Sequence, residues 1–441
     1  MKRTPTASVV VVVVGLLGCP DRARPCERDN QCDEGEVCLL PADDDVGVCA
    51  ASRAEGEGEG EGEGEGEGEG EGEGEGEGEG EGELPITARV VDVGGVFACA
   101  IDAQDRVQCW GGNSRGQLGR VTESGGDDVP APIPGLSDVV DLALGEFHGC
   151  ALGRLNQGQQ KLFCWGDPGE GTLGTDIAVS VGDLVEPELP LGFGADVIDV
   201  DADGDNNGGL TCASDGVDTF CFGPHAPGTA NGLPARLNGL GLVSRLDVSL
   251  DGVCASSPTQ ATTCAQVGEA LSLLGCAADG RCAALDNGTR FDSEVVNACL
   301  IDDGTLFCAG DNTFGVVNPA ERAPEDLALT TLINATDVAV GTQHACAISG
   351  LDVKCWGRPI FGATGFLEVD LFDTEPCDDD PNVRCHGIED VPMPAGFLGF
   401  VNVDTHRTRS CALTGDGRLV CWGGEDSDDE AGRPHAVPLF R

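Results

Sequence analysis

The sequence predicts an all-β fold built from seven repeated units, on three observations. Cysteines recur in pairs at a steady period. Each pair brackets a short turn. A period-two alternation of apolar residues precedes each pair. The first cysteines are Cys99, Cys150, Cys212, Cys254, Cys299, Cys346 and Cys411, spanning 312 residues in six steps, a mean period of 52. Their partners are Cys109, Cys164, Cys221, Cys264, Cys308, Cys355 and Cys421. Seven such units fill the 358 residues from Leu84 onward, and a fixed period of this size marks stacked supersecondary units. The 68 glycines, the 4% aromatic content and the absence of Tyr suit many short strands joined by tight turns.

One unit can be derived residue by residue. Val140-Asp141-Leu142-Ala143-Leu144 and Asp337-Val338-Ala339-Val340 are opening strands, alternating with period two. In the fifth unit Cys299-Leu300-Ile301-Asp302 faces Thr305-Leu306-Phe307-Cys308 across Asp303-Gly304, the preferred dipeptide of a type I′ turn. Counting back from that turn, 302/305 is hydrogen-bonded, 301/306 is not, 300/307 is, and 299/308 is not. The cysteines therefore oppose each other at a non-hydrogen-bonded pair, where side chains come closest and a disulfide fits. The sixth unit repeats the register with Gly350 first in its turn, as type II′ requires. Each bridge closes a small loop and stabilises by roughly 2–3 kcal/mol in the chain-entropy model. Zinc is disfavoured, because each Cys already has a partner on the adjacent strand and no CxxC spacing occurs.

The string Cys99-Ala100-Ile101, turn, Cys109-Trp110-Gly111, then Gly116-Gln117-Leu118-Gly119 resembles the repeat of the regulator of chromosome condensation family. The seventh unit, with Cys411-Ala412-Leu413, Asp416-Gly417 and Cys421-Trp422-Gly423, is similar, as are Gly145-x-x-His148-x-Cys150 and Gly341-x-x-His344-x-Cys346. The resemblance implies a seven-bladed β-propeller of four-stranded antiparallel blades. It weakens in units three to five, where Phe222, Ala265 and Ala309 replace Trp and Gly-Gln-Leu-Gly is lost. The tail Ala436-Val437-Pro438-Leu439-Phe440 is expected to complete the first blade and close the ring. The founder's nucleotide-exchange activity is not carried over, since the repeat consensus matches no exchange residue here.

Ahead of the repeats come three other segments. Residues 1–18 read as a signal peptide, with Lys2 and Arg3 before an apolar run from Ala7 to Leu17 that is too short to span a bilayer. Leu16-Leu17-Gly18-Cys19 resembles the lipobox of bacterial lipoproteins, which implies cleavage after Gly18 and lipidation of Cys19. Several acyl chains on one residue give stable anchoring. Removing Cys19 leaves 22 of the 23 cysteines, enough for eleven bridges. Residues 19–54 form a small Cys-rich module. Cys26, Cys32, Cys38 and Cys49 allow three connectivities, and the sequence does not choose among them. Residues 55–83 are Glu-Gly repeated fourteen times and a closing Glu83. This is a disordered linker, averaging roughly 30 Å end to end if flexible, stretched by charge towards a limit of about 90 Å. Residues 84–441 are the propeller.

Two more pairs, Cys276 with Cys282 and Cys377 with Cys385, lie outside the repeats, the second in an acidic insertion at about 366–398. So many paired cysteines place the chain in an oxidising compartment. With the anchor, that means the bacterial cell envelope, as an outer-membrane lipoprotein facing the periplasm or the cell surface. The formal net charge of −52 excludes nucleic acid, whose binding rests on Lys and Arg neutralising phosphates. A monomer is expected.

Chemistry is sparse. His148 and His344 hold the repeat's own His position and read as packing residues. His225, His386, His406 and His435 have no triad partner in the sequence. Trp110, Trp165, Trp356 and Trp422 belong to Cys-Trp-Gly and read as core. Asp199-x-Asp201-x-Asp203-Gly204-Asp205 resembles the start of a calcium loop, because a hard cation needs several oxygens from a sharply turned chain. The acidic residue at position twelve is missing, since Leu210 stands there, and Asp199 also matches the strand Asp seen as Asp92 and Asp141. A solvated acidic turn is the plainer reading. No other cofactor is implied. The expected function is a non-catalytic, surface-displayed binding module for a protein or glycan. The alternative is an enzyme with its site in the propeller's central channel, which convergent His and carboxylate side chains there would favour.

Overall fold

The computed structural model describes residues 86–441 apart from 266–289, 318–327, 367–384, 425–432 and shorter gaps of one to four residues, together with short strands at 25–26, 36–39 and 47–51. Cys19, the linker and the Cys276/Cys282 pair lie outside the described residues. The chain divides into two units, Met1–Gly80 and Glu81–Arg441. In the first, Pro25–Cys26, Gly47–Ala51 and Glu36–Leu39 form one small sheet that sets Cys38 opposite Cys49. No helix among the described residues is long and apolar enough to cross a membrane.

The second unit is a seven-bladed propeller of antiparallel sheets. Blade 1 comprises Ala88–Val93, Phe97–Asp102, Val107–Gly112 and Gly126–Pro132. Blades 2 to 7 open on the inner strands Leu136–Leu144, Asp199–Asp205, Arg245–Ser249, Arg290–Glu294, Ala335–Val340 and Phe400–His406. Strand order within each sheet follows chain order from the channel outward. Blades 1, 3, 5, 6 and 7 show four strands, and blades 2 and 4 show three among the described residues. Successive inner strands touch in cyclic order, and the first meets the seventh.

The second strand of each blade carries the first Cys and is sandwiched between its neighbours. Phe97–Asp102 is buried along its whole length. All seven expected hairpin disulfides are present, joining Cys99–Cys109, Cys150–Cys164, Cys212–Cys221, Cys254–Cys264, Cys299–Cys308, Cys346–Cys355 and Cys411–Cys421. In the fifth blade 299/308, 300/307, 301/306 and 302/305 are partners, and the Cα atoms of the bridge lie 4.0 Å apart, the closeness of a non-hydrogen-bonded pair. Asp303 and Gly304 both have positive φ, 44° and 71°, as type I′ demands. Gly350 has φ of 71° in its type II′ position.

Three expectations change. The tail strand His435–Ala436 pairs with Leu419–Gly423, so it completes the seventh blade and not the first. Each blade is thus one continuous stretch of chain, and the ring closes by packing. Phe440 lies 6.2 Å from Trp110, centroid to centroid, and the Ala88 N–H donates to the Gly417 carbonyl. Second, His386–Asp390, inside the expected insertion, is the outer strand of blade 6. Third, Asp199 aligns with Asp141 but not with Asp92. Asp92 stands opposite Cys99, whereas Asp141 and Asp199 stand opposite positions two beyond the first Cys of their blades.

Candidate functional site: the channel

The inner-strand residue opposite the first Cys of each blade is Asp92, Ala143, Asp201, Asp247, Asp292, Ala339 or Asp404. The two blades with Ala there carry an aspartate two residues earlier, Asp141 and Asp337. Every blade therefore brings an aspartate to the channel, and each reaches the inner strand of the next blade.

Going round the ring, Asp92 accepts from the Leu144 N–H at 3.1 Å, and Asp141 from Val200 at 2.8 Å. Asp201 and Asp203 accept from Val248 at 2.6 Å and Leu250 at 2.9 Å. Asp247 accepts from the Ser293 hydroxyl at 3.0 Å, and Asp292 from the Val340 N–H at 2.6 Å. Asp337 accepts from Val403 at 3.0 Å, and Asp404 closes the ring on Val93 at 2.6 Å. A strand edge facing a narrow channel leaves amides that need acceptors, and a carboxylate accepting from a backbone N–H makes a strong, charge-assisted bond.

This arrangement gathers carboxyl groups in a place with little water. Burial pushes Asp141 and Asp404 up to about 6 and Asp247 up to about 7. Burial first, then neighbouring carboxylates, raises Asp92 and Asp292 well above the usual carboxylate range. Burial raises Asp203 as well. Asp92, Asp203, Asp292 and Asp404, with Asp201 and His406, border a space of about 60 Å³, room for a few waters.

One end of the channel is crossed by a cluster that the sequence did not reveal. His406 Nε2 lies 3.0 Å from Glu146 Oε2, and His406 Nδ1 lies 3.9 Å from Asp203. Arg407 Nη1 donates to the other Glu146 oxygen at 2.6 Å. The Glu146 and His406 side chains are only 3% and 5% exposed. His406 thus has acidic partners after all. They come from blades 2 and 3, and with 260 residues between Glu146 and His406 no local spacing could signal the pair.

Asp199, Asp201, Asp203 and Asp205 fall on a straight strand, Asp199–Asp205, not on a turned loop. The Asp201 and Asp203 carboxylates are engaged with blade 4. Among the described residues no group of three or more His, Cys, Asp or Glu side chains is arranged to hold a metal ion. Of the pairs outside the repeats, Cys385 is disulfide-bonded, and Cys377 lies outside the described residues.

The repeat histidines are seam residues. His148 Nε2 is 2.8 Å from Thr211 Oγ1 in blade 3, and His344 Nε2 is 2.9 Å from Ser410 Oγ in blade 7. A Cβ at Gly145 or Gly341 would stand 2.3 or 2.4 Å from the ring below it, which explains Gly-x-x-His. Burial lowers both imidazoles to about 4, so they are neutral packing groups. His225 and His435 lie on no inner strand, and His386 opens the outer strand of blade 6. Trp165, Trp356 and Trp422 are buried completely, and each indole N–H donates to a carbonyl of the preceding blade.

Residues 104–152 and 89–117 match two models of the regulator of chromosome condensation (RCC1) repeat. An RCC1 domain-containing protein of Arabidopsis thaliana, mitochondrial RUG3, is 34% identical over 94 residues, which are 21% of this chain and 20% of that protein. The chain thus spans about a fifth of that relative's length. The crystal structure of Prp20p from Saccharomyces cerevisiae is similar over 80% of this chain and 87% of its own, at 18% identity and a TM-score of 0.59. Yeast RCC1 (Prp20) bound to Kap60 gives 17% identity and 0.58, over 80% and 85%. Residues 89–152 match the RCC1 repeat in sequence and the ring matches yeast RCC1 in fold: it is a β-propeller similar to those of the RCC1 repeat family.

Proposed function

We propose that the chain is a lipid-anchored cell-envelope module whose propeller binds a protein or glycan without catalysing a reaction. The observation that carries this reading is the size of the channel. His406, Glu146 and Asp203 do converge there, which by itself favours an enzyme. The space beside them is about 60 Å³, however, against roughly 300–1,000 Å³ for ordinary small-molecule sites. The carboxylates are spent on holding blades together, and the imidazole is nearly sealed. Among the described residues, this constellation leaves a substrate no room.

The binding role draws support from the fold's use elsewhere. Prp20p is described with binding properties to Gsp1p and histones, and yeast RCC1 with Kap60 bound. Those partners are not transferred to this chain. The anchor at Cys19 and the spacer at 55–83 present the ring away from a membrane surface. The charge of −52 opposes nucleic acid and steers towards a cationic or neutral partner.

Two measurements on the intact chain test the proposal. Detergent-phase partition is expected to be lost in Cys19→Ser, and retention of the acylated mutant protein in that phase overturns the anchor. Cross-linking on whole cells is expected to join one face of the ring repeatedly to one partner. Scattered cross-links with no common partner or face overturn the binding role.

A further inference from the structure

Two pairs of channel carboxyl groups meet across blade seams. Where the ring closes, Asp404 of blade 7 accepts from the Val93 N–H, the residue next to Asp92 of blade 1, and both carboxyl groups border the same small space. Asp247 of blade 4 accepts from the Ser293 hydroxyl, the residue next to Asp292 of blade 5. Buried carboxylates held this near each other cannot all stay ionised without something positive between them. None of the four can turn away, because each also holds a seam: Asp404 through Val93, Asp92 through Leu144, Asp247 through Ser293 and Asp292 through Val340.

The cations near the pairs offset burial only in part: His406 lowers Asp404 and Arg245 lowers Asp247, but burial outweighs both. Asp201 faces both Asp92 and Asp292, and Asp203 faces Asp247. His406, on the strand of Asp404, is drawn to Glu146 and Asp203. Arg245 acts on Asp247 from the same strand and acts on Asp141 as well.

We propose that Asp404–Asp92 and Asp247–Asp292 are proton-held latches: one shared proton in each pair keeps its seam closed, and loss of that proton loosens the ring there. The positions fit this role. The 7/1 seam joins the two ends of the propeller with no exchanged strand. The 4/5 seam shows neither the Trp nor the His tie found elsewhere among the described residues.

The sign follows from the direction of the shifts. All four carboxyl groups for which burial dominates are raised in the folded state, Asp404 to about 6 and Asp247 to about 7. A raised folded value means that the folded state holds the proton more tightly. The stabilisation is therefore complete below the unfolded value, about 3.9, and is lost as pH rises through the folded values. His148 and His344 act oppositely. Lowered to about 4, they cost stability only as pH falls from about 6.5. Above about pH 7 His148 and His344 are neutral in both states, and the raised carboxyl groups, the two pairs together with Asp141 and Asp203, set the slope.

The test is thermal unfolding of the full chain from pH 6 to pH 9 at constant ionic strength. The wild-type melting temperature is expected to fall by on the order of 5 °C over that range. Asp92→Asn and Asp247→Asn supply a permanent amide donor to the partner carboxylate, and each is expected to flatten the profile. If these variants fail to fold, hydrogen exchange of the wild type decides. Protection of the Val93 amide, corrected for intrinsic rate, is expected to drop at least tenfold from pH 6 to pH 9, while Ile133, bonded within blade 1 to the Val107 carbonyl, keeps its protection. A wild-type profile that is level or rises above pH 7, or Asn variants that parallel it, overturns the proposal. So does restoration of the wild type at pH 9 by calcium chloride but not magnesium chloride at equal ionic strength, because a cation and not a proton would then hold the pairs.

Discussion

Blades 1, 2, 6 and 7 and blades 3 to 5 hold their neighbours by different means. In the first group the seam is tied at mid-blade. Trp165 donates to Gln117 at 2.7 Å, Trp356 to Val316 at 2.6 Å and Trp422 to Ala363 at 2.9 Å, and His148 and His344 reach hydroxyls in the following blade. In the second group Phe222 fills the Trp position without an N–H, and Ala265 and Ala309 leave it almost empty of side chain. There the channel ties, which every blade makes, carry more of the seam. Blade 3 sends two carboxylates, Asp201 and Asp203, into blade 4. Blades 4 and 5 share Asp247, Ser249 and Ser293. A repeat ring needs every seam closed, because one blade cannot bury both of its faces alone. The comparison teaches that the mid-blade tie can be lost while the channel ties and the hairpin stay fixed.

The sharpest way to break this comparison is to remove a Trp. Trp356 and Ala309 occupy the same register, opposite Ala345 and Ala298. Trp356→Ala leaves a cavity and an unpaired Val316 carbonyl, and is expected to cost about 3–5 kcal/mol in denaturant unfolding. Ala309→Trp places the consensus residue where the packing has closed around a fully buried methyl group, and is expected to cost about 1–3 kcal/mol. A Trp356→Ala cost below about 1 kcal/mol would mean that the Trp does not set seam strength in blade 6, and a stabilised Ala309→Trp would mean that the consensus Trp sets it even in blade 5.

The hairpins were fully legible in the sequence because their information is local. Cys spacing, Asp303-Gly304 and Gly350 fix register and turn type within a dozen residues. The seams were not, because their partners lie in different repeats. Asp92 and Asp141 look alike in the sequence, yet they occupy registers two residues apart and do the same work from different positions. The calcium-like spacing at 199–205 lies on one strand, where Asp201 and Asp203 are seam carboxylates. The fifth unit also kept more of the repeat than its text suggests. Asn312 Oδ1 accepts from Val317 as Asn113 Oδ1 accepts from Leu118, at 3.1 and 2.9 Å, so the turn before the outer strand survives without Gln-Leu. The Glu146–His406 cluster had no local signal at all.

A smaller effect sharpens the view of the hairpin as a fixed unit. Cys299–Cys308 and Cys346–Cys355 both close loops with a sequence separation of 9, so the chain-entropy model assigns each roughly 2–3 kcal/mol. Replacing either pair by Ser is expected to lower stability equally, although blade 5 lacks the Trp tie and blade 6 has it. Chemical unfolding of the two double mutants measures this. A difference above about 1 kcal/mol would show that the seam, and not loop closure, governs what a disulfide contributes.

The smallest expected effect concerns the turns themselves. Gly304 and Gly350 both have φ of 71°, a conformation that costs an L-residue roughly 1–2 kcal/mol. Neither position is crowded. A Cβ at Gly350 meets nothing within 4 Å, and one at Gly304 first meets Asn334 Cα at 3.6 Å, an ordinary contact. Ala at either site also narrows the unfolded ensemble, which returns about 0.4–1 kcal/mol. The net loss should then be about 1 kcal/mol for Gly304→Ala and the same for Gly350→Ala, and less for Asn, which tolerates positive φ. Melting temperatures of the four single mutants check this. Equal losses in blades 5 and 6 follow if the hairpin is indifferent to how its blade is tied. A loss confined to Gly304 would mean that a blade without its Trp depends more on its turn, and the two groups of blades would then differ in their hairpins as well as in their seams.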